Sequence, residues 1–192
     1  MPDRNHAALD FLLTRRSRPA KTLRAPVPDR ATLEVLLTAA ARTPDHGKLE
    51  PWRFIVLEQA ALHRLADLTR ARGAELGQDA DQIDKISGMF KTAPLSVAVV
   101  ASPKPSPKIP EVEQTLSAGA ACLALLNAAL AAGWGANWLT GWTAFDRPFL
   151  SQGLDLAEHE FVAGFIHLGS ETSTPPDRPR PDLDAITTWV TE

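Results

Sequence analysis

A single cysteine, Cys122, stands among 192 residues, so no disulfide framework can be built. Its setting, AGAACLALL, is small and apolar with nothing nearby to hold a thiolate, which reads as a buried, inert thiol. An excess of positive charge is also missing. The 20 Lys and Arg are outnumbered by 23 Asp and Glu, mixed along the chain to a net charge of -3. No broad positive field exists for a polyanion, and nucleic acid is excluded as the expected partner. The start, MPDRNHAALDFLLTRRS, offers only a short apolar stretch between charges and no small-residue cleavage site, so no signal peptide and a cytoplasmic protein are expected.

Several chemical signatures are absent. There is no GxGxxG for a Rossmann dinucleotide site, no GxSxG nucleophile elbow and no Walker A loop. The histidines, His6, His46, His63, His159 and His167, show no zinc-ligand spacing. His46 and Glu50 are four apart, but Gly47 and Pro51 remove the helix that would pair them, and no metal is expected.

What is present has the composition of one globular domain over residues 1–192, with 44% hydrophobic and 22% charged residues and a real core. Leu9 to Leu13 read as a short helix ending at Arg15 and Arg16, cations suited to a helix C-terminus. After an extended connector marked by Pro19, Pro26 and Pro28, Asp29 can cap a second helix carrying Leu33, Leu36, Leu37 and Ala40, stopped by Pro44. Trp52 to Leu57 and Leu95 to Ala101 are β-branched and aromatic runs of strand type, with two helical stretches between them. From about Val112 to Ala132 the chain is rich in alanine and leucine, and Gly133 closes the helix.

The uncharged run from Thr115 to Gly133 approaches the length of a membrane span. Mostly alanine, and polar at Gln114, Ser117 and Asn127, it reads instead as a buried helix, and no membrane is expected. Apolar on nearly every face, it needs burial on all sides, and a partner subunit can supply part of that. Ala136 to Trp142 and Phe161 to Leu168 are further strands, and Pro175, Pro176, Pro179 and Pro181 keep the tail from Thr174 extended, able to wrap a neighbour. Interleaved helices and strands without a βαβ repeat predict an α+β fold, a helix-covered mixed or antiparallel sheet.

Arg15-Arg16-Ser17 sets two guanidinium forks and a hydroxyl just past a helix end, able to grip a phosphate or, more plainly, to be two solvated arginines on a helix dipole. Arg42 and His46 lie where a helix passes through a Pro- and Gly-bounded loop into a strand, a place where ligand contacts concentrate. Trp134, Trp138 and Trp142 recur every four residues but are broken by glycines, and core packing is their simplest reading.

An N-terminal RRS, a helix ending in RTPDH, a PW opening the first strand, an alanine-rich helix running into GWGANW, and a strand closing in FIHLG follow one another in this order. Together they resemble the nitroreductase family, in particular its short bacterial branch of NAD(P)H nitroreductases, over nearly the whole chain. The resemblance implies an intertwined homodimer around the long helix, with FMN at the subunit interface. By it, Arg15, Arg16 and Ser17 hold the flavin phosphate and polar edge, Arg42 and His46 add contacts from the other subunit, and Trp138, Leu139 and Thr140 line the cofactor. Ala128, Ala129, Leu130, Ala131, Ala132 and Gly133 fall where the branch receives NAD(P)H. Two departures stand out: Glu50 replaces a glutamine before the PW, and Leu139, followed by Thr140, replaces an arginine. Glu50 is expected to point away from an anionic phosphate or to be compensated by Lys48.

The activity implied is ping-pong hydride transfer from NAD(P)H through flavin to a small electron-poor acceptor such as a nitroaromatic or quinone, with no side chain needed as acid or base. Open beside it are a flavin enzyme acting on another substrate, such as an enone, a flavin carrier without turnover, and an interaction protein without cofactor.

Overall fold

The computed structural model describes residues 3–192. Most helices start where a short polar side chain can accept the first free N–H groups. Asn5 caps α1 (His6–Thr14), Asp29 caps α2 (Arg30–Ala40), Asp79 caps α4 (Ala80–Thr92), Asp146 caps α6 (Arg147–Leu154) and Asp182 caps α7 (Leu183–Ile186). Two longer helices lack such a cap, α3 (Gln59–Glu75) and α5 (Glu111–Ala131). In α5 the first-turn Glu111 and Glu113 face the positive pole instead.

Strand β5 (Phe161–Glu171) is the spine of a sheet that is antiparallel throughout the described residues. β3 (Leu95–Ala101) runs along one edge, from Leu95 opposite Leu168 to Ala101 opposite Phe161, with a bulge at Val99 and Val100. β4 (Gly135–Leu139) takes the other edge, from Gly135 opposite Gly169 to Leu139 opposite Phe165. β1 (Leu23–Arg24) pairs with Ser170 and Glu171, and β2 (Trp52–Leu57) flanks β3. β3 is buried along its whole length, as a strand covered on both faces must be, which is why it reads as a continuous apolar run.

Helices cover both faces, as the interleaved pattern predicts. α2 and α5 bring Leu33, Leu36, Leu125 and Leu126 onto Val97, Val99, Ile166 and Leu168. On the opposite face α3, α4 and α6 bring Leu62, Leu65, Phe90 and Phe149 onto Ala98, Val100 and Phe165. Cys122 lies fully buried in the first layer, and burial pushes its thiol up to about 12, in keeping with an inert thiol. α5 is long and apolar enough to cross a membrane by length and composition, yet it packs against this sheet. Its Val112, Leu116 and Leu123 remain exposed.

Boundaries move where pairing decides them. β4 stops at Leu139, three residues short of the expected Trp142, which belongs to a 3-10 turn over Trp142–Ala144. The Trp138 indole N–H donates to Ala163 O at 3.3 Å, so a side chain occupies the next ladder position on β5. β5 in turn runs past Leu168 because β1 extends the pairing. α6, absent from the sequence reading, starts with Pro near its first position and contains Gly153, residues that mimic a loop although Pro is compatible with a first turn.

His167 is fully buried on the Phe165 side of the sheet, and burial lowers its pKa from 6.5 to about 4. The unfolded chain therefore takes up the proton more readily than the fold. The native state keeps its full stability above about pH 6.5 and loses it as the pH falls towards 4, by on the order of 3 kcal/mol from this group. Urea unfolding of the wild type and His167→Phe at pH 7 and pH 4.5 measures this: the variant is expected to lose stability less steeply, and parallel losses would remove His167 as a source.

Candidate functional site

Arg15 is the C-cap of α1, and its backbone N–H returns to Phe11 O. The chain then turns along β4, held by Arg18 N donating to Ala136 O at 2.8 Å and by the Asn137 side-chain amide donating to Arg18 O. This anchorage gathers the three predicted ligands. Arg15 Nη2 donates to Ser17 Oγ at 2.9 Å, and Arg16 Nη1 donates to Ser17 O at 3.2 Å.

The Nε atoms of both Arg15 and Arg16 are buried without a hydrogen-bond partner. Such orphaned donors cost about 1–3 kcal/mol each. The Arg15 guanidinium is held below its usual range, first by burial and then by the positive charges of Arg180 and Arg16. The neighbouring acid does not relieve this: Glu171 pairs with Arg18 Nε at 2.6 Å. A crowded, under-compensated group of guanidiniums is the electrostatic profile of an anion site.

Arg15, Arg16, Arg18 and Glu171 line a cleft of about 320 Å³ together with Phe11, Thr14, Leu130, Gly133, Trp134 and Gly135. Arg18, Glu171 and Trp134 were not among the predicted ligands. Arg18 had a signal in the run RRSR, whereas Glu171 enters only through the pairing of β5. Arg180 comes from the proline-spaced tail, whose Asp177 accepts from Arg180 at 3.0 Å and feels the charge of Arg16. The RPRP spacing from 178 to 181 was its trace in the sequence.

β4 has a free edge. Because Ala136 O faces Arg18 and not β5, alternation along the antiparallel ladder turns the N–H and C=O of Trp138 to that same free edge. The indole of Trp138 lies across Gly164, where any side chain would collide with the ring. Trp138 and Leu139 are half-buried and Thr140 is exposed beyond the strand. The three tryptophans divide between the two layers: Trp134 and Trp138 pack on the α2 and α5 side, Trp142 on the other.

Arg42 and His46 lie elsewhere. Arg42 is exposed beside α5, in a groove of about 330 Å³ with Thr43, Pro44, Ala120, Leu123, Ala124 and Asn127. His46 Nδ1 meets Glu113 Oε2 at 2.8 Å, near the start of α5. Trp52 Nε1 donates to Ser117 Oγ at 3.1 Å, which donates to Pro44 O at 2.9 Å, fixing this loop to the helix. Within one chain neither joins the Arg15–Ser17 group, which lies by Leu130 and Gly133 at the C-terminal end of α5, whereas His46 lies at the N-terminal end and Arg42 beside the middle.

The nitroreductase family model matches residues 12–170. The chain belongs to the nitroreductase family. It is 34% identical over 163 residues to the provisionally named NAD(P)H nitroreductase YdjA of Escherichia coli K12, covering 85% of this chain and 87% of that protein. The fold is that of a nitroreductase-like protein from Bacillus cereus, with a TM-score of 0.79 at 20% identity over 99% of this chain and 98% of the other. It is also that of a nitroreductase with bound FMN from Bacteroides fragilis, with a TM-score of 0.74 at 20% identity over 98% and 100%.

The stretch Ala128–Gly133 is mixed. Leu130 and Gly133 line the arginine cleft, Ala129 is fully buried in the core, and Ala131 and Ala132 are exposed. Gly133 has φ +83 and ends the helix, with Trp134 N donating to Ala129 O at 3.0 Å. A helix C-terminus carries partial negative charge, so this end draws the guanidiniums of the cleft towards it.

Glu50, expected to point away from an anionic phosphate or to be compensated by Lys48, is exposed and forms no ion pair with Lys48 among the described residues. Lys48 and Glu50 both have left-handed backbones, φ 54 and φ 50, beside Gly47 at φ 74. Asp45 Oδ1 holds the turn by accepting from Leu49 N at 2.6 Å and Glu50 N at 3.3 Å. A left-handed non-glycine costs about 1–2 kcal/mol, and glycine returns about 0.5–1 of that as entropy. Glu50→Gly is therefore expected to raise the unfolding free energy by up to about 1 kcal/mol, with Glu50→Gln unchanged. Chemical denaturation that shows the glycine variant less stable would refute strain at this turn.

Proposed function

We propose that the chain is an FMN-dependent NAD(P)H oxidoreductase working as a homodimer, and that Arg15, Arg16 and Ser17 hold the flavin phosphate. The observation that carries this reading is the pair of buried, unpartnered Nε donors of Arg15 and Arg16 at the wall of one cleft. A phosphomonoester presents several strong acceptors to such a fork, and the Ser17 hydroxyl, which already accepts from Arg15, still has its proton to donate. Arg180 would add a further cation from the tail.

From that anchor the free edge of β4 leads to Trp138, Leu139 and Thr140. The outward N–H of Trp138 would donate to the polar edge of the ring system, and half-buried Trp138 and Leu139 would supply a flat apolar wall that keeps water away. The chemistry bound FMN supplies is acceptance of hydride from NAD(P)H followed by its delivery to an electron-poor acceptor such as a nitroaromatic or quinone. The chain's own part is to bind, orient and exclude water, and no side chain is required to move a proton. The names of the Escherichia coli relative and the FMN-bound neighbour support this choice of cofactor and co-substrate.

The dimer follows from what α5 leaves open. Its 21 residues span about 30 Å at 1.5 Å per residue, with His46 near one end and the Arg15–Ser17 group at the other. Two copies related by a two-fold axis across the exposed middle of α5, near Leu123, set the helices antiparallel. His46 of one copy would then come to the arginine cleft of the other, with Arg42 between that cleft and the axis. α1, which buries none of its own residues, would be covered by the same contact.

Replacing Arg16 with alanine is expected to weaken FMN binding by about 1.5–3 kcal/mol, the usual worth of a hydrogen bond to a charged group. Titration of FMN fluorescence measures it, and unchanged affinity would take Arg16 out of the site. Steady-state oxidation of NADH and NADPH with a panel of acceptors tests the enzyme itself: bound flavin reduced by neither nucleotide leaves only a carrier.

Assembly has its own check. Sedimentation at micromolar concentration is expected to give a dimer, with Leu123→Glu shifting it towards monomer. A monomeric wild type would overturn the shared site.

A further inference from the structure

Three buried polar atoms without a partner on one sheet row call for an explanation. Ser96, His167 and Asn137 are direct cross-strand partners on β3, β5 and β4. They share the face that carries Ala98 and Phe165, since opposite residues in a ladder point the same way. Ser96 and His167 are fully buried, and Ser96 Oγ and both ring nitrogens of His167 have no partner. On β2 the row continues as apolar Leu57. The polar part therefore begins inside the sheet and runs only towards the free edge of β4, where the Asn137 amide donates to Arg18 O.

We infer that His167 is a positioning residue for the cofactor loop, fixing the Asn137 carboxamide that holds Arg18 and, through it, Arg15, Arg16 and Ser17. The donor count fits. A neutral imidazole has one donor and one acceptor, a hydroxyl one donor, and a carboxamide both kinds. Ser96 Oγ–H to His167, His167 N–H to Asn137 Oδ1 and Asn137 Nδ2–H to Arg18 O use every group in one direction. Opposed Cβ atoms lie about 4.5–5.5 Å apart, so side-chain rotation alone closes these links. Arg18 is thus clamped at both backbone groups, its N–H on Ala136 O and its C=O on Asn137.

The inference rests on the FMN reading, and riboflavin separates the two. Riboflavin has the same ring without the phosphate, so a residue acting through the Arg15–Ser17 loop changes the ratio of FMN to riboflavin affinity. General loss of structure lowers both together. Fluorescence titration of both flavins on wild type, His167→Phe, Asn137→Ala and the double variant is the experiment. Each single variant is expected to lower the FMN to riboflavin ratio about three- to tenfold, the worth of one hydrogen bond. The double variant is expected to lose no more than the larger single effect, because both act on one chain of contacts. His167→Gln, which keeps a donor, is expected to recover part of the ratio. An unchanged ratio in His167→Phe, or losses that add in the double variant, would overturn the role of His167. His167→Leu takes the same place in the cycle if the phenyl ring is not accommodated. A wild type that binds neither flavin would overturn the FMN reading instead.

Discussion

Both edges of β5 are hydrogen-bonded over the same few residues, and this constraint arranges the rest of the molecule. With β3 on one side and β4 on the other, β5 has no room for register slippage, since a one-residue shift would turn Phe165 and Ile166 into the wrong layers. β4 inherits that register and, with no strand beyond it among the described residues, offers its outer edge to Arg18. The arginine pair is therefore placed by sheet geometry rather than by the packing of α1, which buries none of its own residues.

Much of this was readable where sequence punctuation and burial agree. β2 and β3 match the expected bounds because bulky β-branched runs with the full strand length leave little choice. α5 is fixed within a residue by Pro110 before it and Gly133 after it. β1 is two residues long and exists only because Ser170 and Glu171 need partners, a tertiary fact with no local signal. The site divides in the same way. Arg15, Arg16 and Ser17 are adjacent in the chain, so local chemistry exposes them. Glu171 reaches the cleft, and the charge of Arg180 reaches Arg15, from far along the sequence, and His167, which showed only the wrong spacing for zinc, gains its meaning from standing opposite Ser96 and Asn137.

The alanine content of α5 is an economical answer to two demands. On the sheet side, small residues such as Ala118, Ala121 and Ala129 are fully buried and let the backbone approach. The opposite side keeps Val112, Leu116 and Leu123 exposed, too apolar for a face meant to stay in water and too interrupted for a lipid-facing span. The second subunit proposed above would satisfy both, covering the face beside the groove that holds Arg42.

Helix dipoles offer the simpler account of Arg15 and Arg16, and magnitudes decide how far it goes. The pair lies past the C-terminus of α1 and beside that of α5, two negative poles that each stabilise a nearby cation by about 0.3–1 kcal/mol. Each buried donor left without a partner costs about 1–3 kcal/mol, so the poles lower the cost of gathering the charges without removing it. A ligand that fills those donors binds the folded chain alone, and its affinity adds to stability as RT ln(1 + [L]/Kd). The same unsatisfied guanidiniums that weaken the free protein would thus set the strength with which the proposed cofactor's phosphate is held, which is the arrangement expected where a cofactor, not a side chain, completes the fold's electrostatics.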